Sequence, residues 1–225
     1  YSLGFPREII DAYRENGFHS IFIRALNPYG LAKDNADWTA YYDRFVEFYK
    51  QALEYIIELN KSGEEFVEEF ATLILRKILT PFPIGFVDLQ SPAGIINGVI
   101  VYNYDGYVYA SDESRMLAEF RDYTFRVGSV TDRYEDLFYG RKAQEISRLW
   151  ATEYIAGCAD CAFQSICGAD PVRNYSTQGD MYGFRPTSTF CRKHKAIIEH
   201  IFGLLADRRE EVLPIFKSWI TGTGG

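Results

Sequence analysis

A chain of 225 residues that is 47% hydrophobic and 16% aromatic can bury one core or two modest ones, and its net charge is -7. Nothing in it approaches the roughly 18 uninterrupted apolar residues that cross a bilayer, and its Lys and Arg alternate with acids instead of clustering, which argues against a nucleic-acid partner. With no signal peptide, it is expected to be soluble and cytoplasmic, with no membrane or nucleic-acid partner.

Pro6 to Asn16 reads as a short helix ended by Gly17, and His19 to Leu26 reads as a buried strand, being β-branched, aromatic and bounded by Gly17 and Pro28. Helix then strand, in a chain that opens on Tyr1 without Met, suggests the tail of an α/β unit whose earlier repeats are missing. From Asp37 to Asn60, Trp38, Tyr41, Phe45, Phe48, Ala52, Tyr55 and Ile56 recur near a 3.6 period and predict a long amphipathic helix. Ser62-x-x-Glu65 reads as a capping box for a second helix running through Phe66, Phe70, Leu73, Ile74 and Ile78 until Pro81 and Pro83 stop it. Gly98 to Tyr102 and Tyr107 to Ala110 flank Asp105-Gly106, which predicts a β-hairpin with a two-residue turn. Phe125 to Val130 adds a strand, Tyr134 to Tyr154 reads mainly as helix, and Arg192 to Trp219 reads as helices interrupted near Pro214. A domain boundary is expected between residues 80 and 92.

The chemistry is concentrated in four cysteines, Cys158-x2-Cys161-x5-Cys167 and, after a 23-residue gap, Cys191. Four thiolates in a stretch rich in Gly and Pro can close around zinc or hold the corners of an iron-sulfur cluster. Disulfides belong mainly to oxidising compartments and small secreted scaffolds, and inert core thiols would leave the short spacing to chance. His194, three residues after Cys191, offers a Cys-x2-His variant of a zinc site, whereas His19 and His200 have no nearby Cys in sequence. No phosphate loop, nucleophile elbow or paired-histidine zinc motif is present.

The hairpin Tyr104-Asp-Gly-Tyr-Val-Tyr-Ala-Ser-Asp112, the later Val127-Gly-Ser-Val130 and the cysteine spacing together resemble the SPASM domain, the auxiliary-cluster domain of radical S-adenosylmethionine (SAM) enzymes that modify peptides and proteins. Ser111 to Glu119, Cys167 to Tyr175 and Arg185-Pro-Thr-Ser188 look more narrowly like the maturase of the His-Xaa-Ser peptide system. The resemblance covers roughly residues 85 to 205. It implies an α+β chain: the end of a partial (β/α) barrel at 1–36, a helical linker at 37–84, and a SPASM-like domain at 85–225 with a hairpin, a Cys-rich loop and C-terminal helices.

A full SPASM domain holds two auxiliary clusters, but the first cluster's cysteine positions after the hairpin and after the short cysteine run are Ser111 and Pro171 here. The resemblance therefore implies one auxiliary 4Fe-4S cluster on Cys158, Cys161, Cys167 and Cys191. The Cys-x3-Cys-x2-Cys motif that binds the SAM-cleaving 4Fe-4S cluster is absent from the sequence, so SAM and that second cluster are expected only in a missing N-terminal part. A ribosomally made precursor peptide is the expected substrate, with partner maturation proteins possible. Asp112 is the general-base candidate, the alternative being a helix cap. Arg24, as a buried guanidinium on the barrel strand, could pair with a SAM or peptide carboxylate, or snorkel. Asp170, Arg173 and Asn174 could read a peptide backbone or hydrogen-bond cluster sulfurs, or simply stabilise their loop. The competing reading is a non-catalytic zinc-binding interaction module. A third is a cluster-free structural domain.

Overall fold

The computed structural model describes residues 2–32, 37–147 and 151–222. It mixes helices with small sheets and divides into two units: Tyr1–Leu26 with Asp37–Pro83 and Thr189–Gly225, and Asn27–Ala36 with Ile84–Ser188. Thr189–Gly225 groups with the helices of 37–83. No described helix is long and apolar enough to cross a membrane.

In the first unit, Pro6 opens helix α1 (Pro6–Glu15) at its first turn, where a missing N–H costs nothing. The strand after it is much shorter than the expected 19–26. Only Ser20–Ile21 (β1) pairs, in parallel with Val67–Glu68 (β2). The ladder stops because the backbone N–H of Ile23 is taken by the Glu68 side chain, at 3.1 Å from Oε1. Helix α2 (Trp38–Lys61) starts where the pattern predicts, with Asp37 capping it by accepting from the Ala40 N–H at 3.1 Å. Its buried stripe is wider than the predicted one and includes Tyr42, Tyr49, Leu53 and Ile57.

The predicted capping box at Ser62 is not formed. Ser62 closes α2 instead, and the next helix, α3 (Glu69–Leu79), is capped by Glu68, whose carboxylate accepts from the N–H groups of Phe70 (3.2 Å) and Ala71 (2.6 Å). The same buried carboxylate accepts from Tyr49 Oη. Helices α8 (Thr189–Asp207) and α9 (Arg209–Thr221) complete the unit and pack on α2 and α3. Their break falls at Arg208 and not at Pro214, which is accommodated inside α9. Arg208 leaves helical geometry while its guanidinium bridges Glu54 (2.7 Å) and Glu211 (2.5 Å).

In the second unit, strands β3 (Val101–Tyr102), β4 (Tyr107–Tyr109) and β5 (Arg126–Ser129) form an antiparallel sheet in that order. The hairpin exists, but its turn is longer than two residues: Gly106 N–H donates to the Asn103 carbonyl, Asn103 N–H to Tyr107, and only Gly106 takes positive φ (+82°). That is a three-residue loop, 104–106, ending in a left-handed glycine, which fits the strand twist as well as the shorter turn. Asp105 fixes it by accepting from Tyr107 N–H (3.0 Å) and Tyr109 Oη (2.6 Å). Helices α4 (Asp112–Glu119), α5 (Tyr134–Tyr139), α6 (Arg141–Ser147) and α7 (Pro171–Gln178) surround the sheet. The predicted helix over 134–154 is split at Gly140, where a Cβ would stand 2.2 Å from the Asp136 carbonyl, and its residues 148–150 lie outside the described residues. Val108, Ala110, Phe125, Leu137, Ile155 and Val172 are central to the core, and Cys158 packs against it.

Candidate metal centre

Three of the four cysteines lie on one tightly wound loop of the second unit. Successive turns carry it: Cys158 N–H donates to the Ile155 carbonyl (2.9 Å), Cys161 N–H to Cys158 (3.0 Å), Gln164 N–H to Cys161 (3.0 Å) and Cys167 N–H to Phe163 (2.9 Å). Such winding suits a loop whose side chains must point one way, since each turn redirects the chain without a ladder. All four cysteines are half-buried thiols and none is in a disulfide. Cys191 stands on α8, in the first unit.

Two glycines clamp the ends of the loop. Gly157, just before Cys158, has φ +75°, and a Cβ on it would stand 2.3 Å from Cγ of Pro186. Gly168, just after Cys167, presses so closely on the Asp88–Leu89 backbone that a Cβ would meet the Asp88 carbonyl oxygen at 2.3 Å and Leu89 Cα at 2.6 Å. Ala169 N–H then donates to the Gln90 carbonyl at 3.1 Å. Because the obstacle at Gly168 is backbone, Gly168→Ala should destabilise the fold by about 3 kcal/mol, lowering the melting temperature by roughly 5 to 10 °C. A melting temperature within a degree of the wild type would show that the 88–89 segment yields freely.

Arg185 completes the surroundings. It is 1% exposed, opens the turn at Arg185–Thr187, and its Nη2 donates to the Gly168 carbonyl at 2.5 Å. The Cys167 Sγ lies 3.6 Å from the same oxygen. Burial pushes the Cys158 thiol up, while the Arg185 charge draws it down and the neighbouring Cys167 and Cys161 push it further up. The three thiols and the guanidinium thus share one electrostatic environment. Among the described residues, no three His, Cys, Asp or Glu side chains converge closely enough to hold a single metal ion. Thiolates on one zinc must lie about 4 Å from one another at Zn–S bonds of roughly 2.3 Å. A 4Fe-4S cluster binds each thiolate to a different iron, and the thiol chemistry of the donor set suits such a cluster as it does zinc.

The remaining candidates fall in separate places. Asp170 caps α7, accepting from Arg173 N–H at 2.9 Å, and Tyr29 Oη lies 3.5 Å from its other oxygen. Burial pushes its carboxyl up to about 7, with the charges of Asp88 and Glu113 acting in the same direction. Arg173 is buried, and Asn174 spends its amide on the carbonyls of Met181 (3.2 Å) and Tyr182 (2.8 Å), which holds the following loop. Asp112 is exposed, the first residue of α4, and ion-paired to Arg115 at 3.0 Å; the cap is Ser111, in a reciprocal pair with Ser114. Ser111 and Pro171, at the positions where the resemblance expects cysteines, therefore both serve as helix starts, and α4 and α7 pack together.

In the first unit, Arg24 is exposed and not buried as expected. Its guanidinium lies 5.7 Å from the Phe22 ring centre at a cavity of about 720 Å³ lined also by Tyr41, Arg44, Phe45 and Phe48. His194 is buried between the rings of Phe190 (4.0 Å) and Phe70 (5.8 Å), with Nδ1 2.9 Å from the Phe190 carbonyl. His19 is exposed, and His200 lies 4.0 Å from Glu54 with burial lowering its pKa. Gly157, Gly168, Arg185, Asp88 and Glu113 were not singled out as site residues from sequence. The adjacency of the two glycines to Cys158 and Cys167, and the place of Arg185 in the Arg185-Pro-Thr-Ser188 motif, were the signals available in the sequence.

No protein-family model and no curated protein matches the sequence. The fold is shared with solved structures of anSMEcpe. Native anSMEcpe with bound AdoMet is 18% identical, with a TM-score of 0.67, covering 94% of this chain and 55% of that one. Hexahistidine-tagged anSMEcpe with bound AdoMet gives 17% and a TM-score of 0.68, covering 98% of this chain and 55% of that one. Native anSMEcpe with bound AdoMet and Kp18Cys peptide gives 17% and 0.63, covering 92% and 54%. The chain thus spans about half the length of the structures it matches, and at these identities the likeness is one of fold.

Proposed function

We propose that this chain is the cluster-bearing portion of a radical SAM enzyme that modifies a ribosomally made peptide, with one auxiliary 4Fe-4S cluster held by Cys158, Cys161, Cys167 and Cys191. The observation that carries the reading is the loop itself: three thiols wound into consecutive turns, clamped by Gly157 and Gly168, and set beside a buried cation. The fold shared with AdoMet-bound anSMEcpe, two structures of it with a peptide, supports the enzyme class and the peptide substrate. The narrower likeness to the His-Xaa-Ser maturase rests on sequence motifs alone, and the matched structures lend it nothing.

When bound, a cluster fully ligated by four thiolates supplies electron transfer and no open iron for substrate. The chain's own residues do the rest. The turns of 155–167 hold the thiols in register, and the apolar core beneath Cys158 limits water at that sulfur. Asp112, exposed at the start of α4, is available to accept a proton from a peptide side chain. SAM cleavage is assigned to a cysteine motif outside these residues, since none of the four has the Cys-x3-Cys-x2-Cys spacing.

Purification without oxygen, with iron, sulfide and zinc measured per chain, tests the reading. About four irons and four sulfides with a broad absorption near roughly 400 nm are expected. One zinc and no colour would overturn it in favour of a zinc-stapled interaction module.

A further inference from the structure

We propose that Arg185 is the fixed countercharge of the cluster loop and sets the reduction potential of whatever cluster Cys158, Cys161 and Cys167 hold; this rests on the 4Fe-4S reading above. Three placements converge on it. The side chain is 1% exposed, so water screens its charge little at the neighbouring sulfurs. Its Nη2 is anchored at 2.5 Å on the carbonyl of Gly168, the oxygen that Cys167 Sγ also approaches at 3.6 Å. The next residue, Pro186, packs against Gly157, whose missing Cβ makes room for it, so Arg185-Pro186 is held to both ends of the cysteine loop at once.

A thiolate-ligated cluster is an anion, and each electron it accepts adds one further negative charge. A buried guanidinium beside it favours the reduced form, and net charge together with hydrogen bonds to sulfur is among the levers that set such potentials. Arginine suits this role better than histidine because it stays charged at every accessible pH. Arg185 acts on the sulfurs and not on substrate, so it is a positioning and tuning residue.

The test uses the full 225-residue chain, reconstituted anaerobically with iron and sulfide and titrated with dithionite. Arg185→Lys, which keeps the charge, should load iron as the wild type does and show an unchanged midpoint potential. Arg185→Gln, which keeps polarity without charge, should load iron and be harder to reduce, its midpoint shifted to a more negative value. Equal potentials in the Gln variant and the wild type would overturn the proposal, as would loss of iron from both variants with the fold intact by circular dichroism. Should the Gln variant fail to fold or to load, the Lys variant decides: wild-type loading and potential support the charge, and a displaced potential overturns it. Failure of the underlying reading is distinguishable, because the wild type itself would then bind no iron.

Discussion

Cys161→Ala is expected to abolish iron binding, from about four irons per anaerobically reconstituted chain to fewer than one, while leaving the apoprotein folded. The thiol is half-buried and joined to no other cysteine, so alanine removes a cluster ligand and little packing. The turn that carries it depends on backbone hydrogen bonds, Cys161 N–H to Cys158 and Gln164 N–H to Cys161, which alanine preserves. Iron and sulfide assays on the variant, paired with far-ultraviolet circular dichroism, separate ligand loss from unfolding. Retention of four irons would remove Cys161 from the ligand set and with it the loop as the cluster's home. Cys191→Ala is the companion measurement, because Cys191 stands on α8 and not on the loop. Loss of iron there assigns it as the fourth ligand, and undiminished iron would show that the fourth ligand lies elsewhere.

The largest stability effect is expected at Glu68. Its buried carboxylate is the shared acceptor for Tyr49 Oη and the N–H groups of Ile23, Phe70 and Ala71, tying β1, β2, α2 and the start of α3 together. Glu68→Ala strands all four donors away from water. At even the lower end of 1 to 3 kcal/mol for each unsatisfied buried group, the loss is about 4 kcal/mol. That is a large share of the 5 to 15 kcal/mol that stabilises a typical domain, and it should show as a marked fall in the urea midpoint. A change under about 1 kcal/mol would mean that water reaches these donors.

The same group gives a pH signature. Burial raises the Glu68 carboxyl from its ordinary 4.5 to about 7, outweighing the four hydrogen bonds that lower it. Between those values the folded protein keeps a proton that the unfolded chain has released. Its contribution is therefore fully present below pH 4.5 and lost as pH rises through about 7. Glu68→Gln has no proton to lose, so the wild type should decline relative to it by about 3 kcal/mol across that window. Parallel stability profiles for the two proteins would show that the carboxylate is already ionised throughout.

Several elements were readable from local pattern. Pro6 and Gly17 bounded α1, the 3.6-residue recurrence of aromatics marked α2, and Asp105-Gly106 marked the hairpin. Each of these depends on contacts within a few residues, so the information sits in the sequence window that encodes it. The failures share the opposite character. Ser62-x-x-Glu65 has the letters of a capping box, yet Glu68 caps α3 because its carboxylate also satisfies Ile23 and Tyr49, 45 and 19 residues away in sequence. Seven consecutive strand-like residues after His19 gave a two-residue ladder for the same reason. The helix break at Arg208 answers to Glu54, on a helix 154 residues earlier, and Pro214 gave no hint of it.

For the candidate site the division is similar. By itself the sequence determined the chemistry on offer: four thiols, their spacing and the resemblance that proposes a cluster, because ligand type and short-range spacing are local properties. The tertiary structure alone decided which groups surround the loop. It put Arg185 against the Gly168 carbonyl, Pro186 against Gly157, and the Asp88–Leu89 backbone against Gly168, and it turned Ser111 and Pro171 into helix starts. Close packing of side chains onto glycine backbone and the burial of a charge arise only when distant segments meet, and no window of sequence contains both partners.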